Sequence, residues 1–254
     1  MRRPLSKPQA ERINRLLQGQ QSQTHWNSYY SRVRFACTTI TSYSYVVPAG
    51  TSVTAFGYGK GQDMAAGGIS GTRACASDTN ITQPNQTSSG ESVIIEGISI
   101  ILLSSSDYNL AKQLDPFVSV TMVTNNTTNY LMGIPSMLPS CGGLYGAGEA
   151  WSVSPSLADV VSRNIGALSN GVPHQSNFFP LPEPMVWTPA GQGDSNLGVI
   201  LNVEHAVGTI AQFSAPARTA TTGVVAYTPP TAAQTFVDYM VVLIGQVVNP
   251  LSAN

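Results

Sequence analysis

The sequence predicts an all-β fold of two packed sheets, and three observations predict it. Short runs of β-branched and aromatic residues recur along the 254 residues. Turn signals drawn from 23 Gly and 17 Pro separate them. Charged residues are only 10% of the chain, against about 25% in an average soluble domain. That sparse charge excludes the Glu- and Lys-rich composition of a helical bundle. The polar share comes instead from 28 Ser and 22 Thr, and 42% apolar residues suffice for a substantial core. Low net charge with plentiful β-branched residues argues against disorder. A surface this poor in charge suits a protein covered mostly by copies of itself.

The first element is the exception to the β pattern. Residues 8–18 read as a short helix, with Ser6 to cap it, Pro8 in its first turn and Gly19 after its end. Ile13, Leu16 and Leu17 form a narrow apolar stripe flanked by Arg12 and Arg15. A helix this short needs a surface to lie on. Together with a Gln-rich link it makes a basic N-terminal arm, residues 1–25, ahead of a body over 26–254.

Strands follow. Arg32 to Ile40 alternates weakly, Tyr43 to Val47 ends at the turn Pro48-Ala49-Gly50, and Val53 to Tyr58 comes next. Gly59 to Gly90 reads as a long loop. Ser92 to Leu103 is the strongest strand, Phe117 to Val123 alternates cleanly, and Tyr130 to Ile134 returns after Asn125-Asn126. A Pro/Gly loop covers 133–148, Ala150 to Val153 is a short strand, and Pro155 to Leu168 has helical spacing through Leu157, Val160, Val161 and Ile165. Gly171 to Gly193 is irregular except for pairing at Met185 to Trp187. Leu197 to Val203, Val207 to Phe213, an edge at Thr221 to Tyr227 and Phe236 to Val248 complete the set. Val93, Ile95, Ile98, Ile100, Val118, Val120, Val241 and Leu243 are the expected central core. About eight main strands joined by long crossovers, without strand–helix alternation, fit a two-sheet jelly roll, single rather than double.

Charge is split along the chain. Residues 1–34 carry seven basic groups and one acid, net +6, and the remaining residues carry −7. A cationic arm on an acidic body points to an anionic partner or to docking on neighbouring subunits. Trp26, Tyr29, Tyr30, Arg32 and Arg34 interleave rings and cations. That suits an arm-to-body junction better than a stack on single-stranded nucleic acid. No segment reads as a secretion signal or a membrane span. Cys37, Cys75 and Cys141 read as free thiols made in a reducing cytosol.

Motifs for chemistry are weak. His25, His174 and His205 lack a metal spacing. Cys141, beside Gly142-Gly143, is the best nucleophile candidate if His174 or His205 supplies a base, but a tight loop is the simpler reading. Gly57-Tyr58-Gly59-Lys60-Gly61 fails as a phosphate loop, because no Ser or Thr follows the lysine. Asp63, Asp78, Asp107, Asp115 and Asp194 are scattered carboxylates without a calcium-loop pattern. The expectation is no enzyme, no cofactor and no metal.

Three features together carry a resemblance. They are the basic arm, the segment Tyr45-Val46-Val47-Pro48-Ala49-Gly50-Thr51, and the closing strand Asp238-Tyr239-Met240-Val241-Val242-Leu243-Ile244-Gly245. With them the chain resembles a viral-type jelly-roll capsid protein of a tailless icosahedral bacteriophage with an internal membrane. The resemblance implies a structural virion protein, made in the host cytoplasm, that self-assembles into a shell beside other virion proteins. The arm then faces inward, and Arg2, Arg3, Lys7, Arg12, Ile13, Arg15, Leu16 and Leu17 are its candidate contacts to the internal lipid membrane, nucleic acid or neighbouring subunits. The competing expectation is a carbohydrate-binding jelly roll of an adhesin or receptor-binding spike.

Overall fold

The structure, a computed structural model, describes residues 22–41, 44–87, 91–103, 108–124, 127–138, 144–153, 161–169, 178–188, 196–210, 219–220, 223–224 and 236–250. The helix expected over 8–18 lies outside them. The fold is all-β, with one short helix, α1 (Tyr108–Leu114), among the described residues.

Eight principal strands form two antiparallel four-stranded sheets. In chain order they are β1 (Ser22–Ala36), β4 (Ser52–Ala55), β7 (Ser92–Leu102), β8 (Val118–Thr124), β9 (Thr127–Gly133), β12 (Phe179–Trp187), β13 (Leu197–Val203) and β17 (Phe236–Pro250). The first sheet runs β1-β17-β7-β12 and the second β4-β13-β8-β9. Numbering the eight from one to eight, the orders are 1-8-3-6 and 2-7-4-5. Every hydrogen-bonded neighbour but one therefore comes from a distant part of the chain, and only β8 and β9 form a hairpin. A small third sheet joins β14 (Val207–Ile210), β3 (Ser44–Val47) and β2 (Thr38–Thr41).

Alternation builds the core. β8 and β13 each bury every second residue, so Val118, Val120, Met122, Leu197, Val199, Leu201 and Val203 face inward. They meet Val33, Phe35, Ile98, Ile100, Val241 and Leu243 of the first sheet in one apolar cluster. All eight expected core positions are fully buried. Trp187 is the largest buried side chain. It packs edge-on to Tyr29 and Phe56, at centroid distances of 5.4 and 5.9 Å, and its indole N–H donates to the Asn85 carbonyl at 3.0 Å.

β7 changes parity midway. Val93 and Ile95 face the core, and then Ile98, Ile100 and Leu102 do, so one extra residue is inserted around Glu96-Gly97. The register with β17 shifts between Ile244 and Gly245 at the same place. Glycine is required on both sides. A Cβ on Gly245 would lie 2.3 Å from the Ile94 carbonyl oxygen, and one on Gly97 would lie 1.9 Å from the Phe178 ring. On the opposite face of this sheet Ile94, Val186 and Val248 make a separate small cluster.

The structure departs from the sequence expectations at several places. Residues 161–168, expected as the second half of a helix, are strand β11 (Val161–Ser169), paired with β10 (Leu144–Val153). Ser162, Asn164 and Gly166 are weak helix formers, and a backbone partner was at hand. β10 also shortens the loop expected over 133–148. The loop expected over 59–90 contains β5 (Asp63–Met64) and β6 (Ile69–Arg73). β1 begins at Ser22, so residues 22–25, placed in the arm, continue the ladder with β17 up to Pro250. Within Thr221 to Tyr227, the described residues Gly223 and Val224 form β16 (Gly223–Val224), paired with β15 (Thr219–Ala220).

Ile100→Ala tests this packing. It removes a fully buried side chain from the centre of the sandwich, and the expected cost is roughly 2–5 kcal/mol in urea denaturation. An unchanged midpoint would mean that the β7 register is wrong.

Candidate functional site

The Arg-x-Arg pair of the arm junction is drawn into the fold. Arg32 and Arg34 occupy successive outward positions of β1, and Arg34 stands directly opposite Asp238 of β17. Asp238 is fully buried. Arg34 holds it with two parallel bonds, Nε to Oδ1 at 2.6 Å and Nη2 to Oδ2 at 2.8 Å. Arg32 donates a third bond to Oδ2 from Nη2 and reaches Asp78 Oδ1 from Nη1 at 3.2 Å. The Arg34 guanidinium also lies 3.6 Å from the centre of the Phe236 ring.

Two cations thus meet two carboxylates. Burial would push the Asp238 carboxyl up, but the bonds and charges of Arg34 and Arg32 hold it below the ordinary carboxylate range. Asp78 is lowered too, against its burial, by the thiol and backbone N–H of Cys75, at 2.8 and 3.0 Å, and by Arg32. With this cluster neutral within itself, the arm proper carries five basic groups and one acid, a net +4 rather than the +6 counted from sequence.

The same strand edge is closed by the segment carrying Asp78. Tyr30 N–H donates to the Asn80 side chain at 2.9 Å, the Asn80 amide donates to the Ser28 carbonyl at 2.7 Å, and Arg32 N–H donates to the Asp78 carbonyl at 2.9 Å. The Tyr30 hydroxyl reaches the Ala76 carbonyl at 2.6 Å. Residues 75–80 therefore cover an edge that would otherwise invite strand addition. The junction aromatics divide accordingly. Tyr29 is buried, with its hydroxyl pushed up to about 12 by burial and by Glu91, whereas Trp26 is 57% exposed.

The other candidates separate. Arg2, Arg3, Lys7, Arg12, Ile13, Arg15, Leu16 and Leu17 lie outside the described residues, as do Cys141, His174, Asp107 and Asp194. His205 is exposed and stands edge-on to Phe117 at 5.8 Å. Gly59 serves packing, since a Cβ there would lie 2.4 Å from the Thr82 carbonyl oxygen. Asp63 accepts the backbone N–H groups of Ala65 and Gly71, at 2.8 and 3.0 Å, and Asp115 accepts that of Ser136 at 3.0 Å. Among the described residues no group of three metal-ligating side chains comes together, and no helix is long and apolar enough to cross a membrane.

Sequence reasoning missed Asp238 as a partner of the arginines, and read Asp78 only as one of several scattered carboxylates. The signal was present for the first: a lone aspartate inside Phe236-Val237-Asp238-Tyr239-Met240-Val241 must find a partner once that strand is buried. No family model, no curated protein and no solved structure matches this chain.

The cluster sets an acid limit on stability. The folded value of Asp238 lies below its unfolded value of about 3.9, so its contribution is complete above about pH 5 and is lost as pH falls through the folded value. Asp238→Asn leaves two guanidinium groups without their shared anion. The expected loss at pH 7 is roughly 3–5 kcal/mol, with a flatter acid-unfolding profile. A variant whose urea midpoints track the parent from pH 7 to pH 3 would refute this role.

Proposed function

We propose that this chain is a structural virion protein, a single jelly roll that self-assembles into an icosahedral capsid shell. The observation that carries the proposal is the strand order. Orders 1-8-3-6 and 2-7-4-5 support a jelly-roll reading, in which a long hairpin of eight strands folds over as two Greek keys. Eight strands in two sheets around one core favour a single roll over a double one. The jelly roll also serves lectins and cupins, so the fold alone does not name the function. Composition favours the shell: a chain with 10% charged residues is suited to having its surface covered by neighbours.

The arm has its own part in this reading. Residues 1–21 precede β1 with net +4 and face the particle interior, against the internal lipid membrane, nucleic acid or neighbouring subunits. Each Lys or Arg near an anionic membrane contributes about 1 kcal/mol, so attachment through the arm is salt-sensitive. The resemblance noted in the sequence, to capsid proteins of tailless icosahedral bacteriophages with an internal membrane, is consistent with such an arm. The carbohydrate-binding alternative draws less support, because Trp187 is buried in the core and cannot join the exposed Trp26 in an aromatic platform.

Sedimentation and electron microscopy of the purified protein test the reading. Capsomers or shells are expected. A discrete small species that binds glycans would replace the shell by the adhesin reading. Deleting residues 1–21 is expected to leave a folded body, since β1 starts at Ser22, with impaired assembly or membrane attachment. Normal membrane-filled particles from that deletion would remove the arm from the mechanism.

A further inference from the structure

The second sheet turns one face to the core, and its opposite face has an unusual composition. One row across all four strands reads Thr54, Ile200, Thr121 and Leu131. The next reads Ser52, Asn202 and Ser119. Neither row contains an ionisable group. Charge begins only past the end of β13, at Glu204, which accepts bonds from the Ser119 hydroxyl and, at 3.0 Å, the Asn202 amide.

The margin of this face is apolar. Four large apolar side chains are exposed among the described residues, and three belong to this side of the molecule: Leu131 at 73%, Met137 at 62% and Phe117 at 40%. This margin is a built feature. The turn Pro135–Met137 is tied to the turn Asp115–Phe117 by the Ser136 N–H on the Asp115 carboxylate at 3.0 Å. Met137 folds back over the end of β9, its Sδ 3.0 Å from where a Cβ on Gly133 would sit.

We infer that the outer face of the β4-β13-β8-β9 sheet is a contact surface between copies of this chain, anchored by Leu131 and Met137. The inference rests on the shell reading and names the surface it uses. Nucleic acid and lipid headgroups require cations, and these rows have none. A second copy brings a surface equally poor in charge, so neither partner must strip water from an unpaired ion. Size points the same way. β8, β9 and β13 have seven residues each and β4 has four; at about 4.8 Å spacing and about 3.4 Å rise they give roughly 400 Å² of face. That is about half of the ~800 Å² each partner gives to a stand-alone complex. One such contact does not hold a dimer, but several per subunit reinforce one another in a closed lattice.

Peroxide footprinting of the unmodified protein tests this without any variant. Met137 is expected to oxidise about tenfold more slowly in assembled particles than in dispersed subunits, while buried Met64 and Met122 stay protected in both. Equal Met137 rates in the two states would overturn the inference. The double variant Leu131→Lys, Met137→Lys is expected to melt like the parent and to remain as small species. Trp26→Lys, equally exposed but on the first sheet, is expected to assemble. Normal particles from the double variant, or equal loss of assembly in Trp26→Lys, would overturn the surface while leaving the shell reading intact. A parent protein that never sediments above a monomer would overturn the shell reading and this surface with it.

Discussion

The pairing of β1 with β17 is the constraint on which the rest of the structure depends. It joins the first and last principal strands over fifteen residue pairs, from Ser22↔Pro250 to Ala36↔Phe236. Because β17 then pairs with β7, the last principal strand lies inside the first sheet while β1 forms its edge. Every crossover between the sheets is enclosed by this closure. A strand pair separated by some two hundred residues carries a high loop-closure cost and forms late unless something specifies it.

Asp238 supplies that specification. A slip of one residue would turn the apolar set of β17 to the outside and Asp238 to the core. A slip of two that sets Asp238 opposite Ala36 would keep the faces but take the buried anion away from Arg34. A well-packed apolar pair in the same place would be about as stable, since desolvating the ions costs nearly what their attraction returns. The charged cluster differs in penalising the registers that carry Asp238 into the core or away from both arginines. It also ties down the segment around Asp78, whose backbone closes the outer edge of β1, so one cluster sets register and guards an edge.

The two sheets consequently present different exteriors. The first carries the arginine cluster, the covering segment 75–80 and the entry of the basic arm at Ser22. The second carries uncharged rows bordered by Leu131 and Met137. A molecule with a cationic arm leaving one sheet and a neutral, partly apolar face on the other is polarised. That polarity is what a shell subunit needs if one part meets the interior and another meets its neighbours.

The sequence by itself determined the local elements. Period-two alternation marked β8, β-branched runs marked β7, β13 and β17, and the eight expected core positions are all buried. These are readable because a strand's buried face is written in its own residues. Tertiary structure alone decided which strands became neighbours, because the order 1-8-3-6 and 2-7-4-5 depends on contacts between residues far apart in the chain. It also decided Val161–Ser169, where helical spacing of apolar residues gave way to a backbone partner in β10. And it decided the fate of Arg32 and Arg34. As sequence they were cations of an arm-to-body junction; folded, they neutralise Asp78 and Asp238, because burying an aspartate in β17 leaves no cheaper way to satisfy its charge.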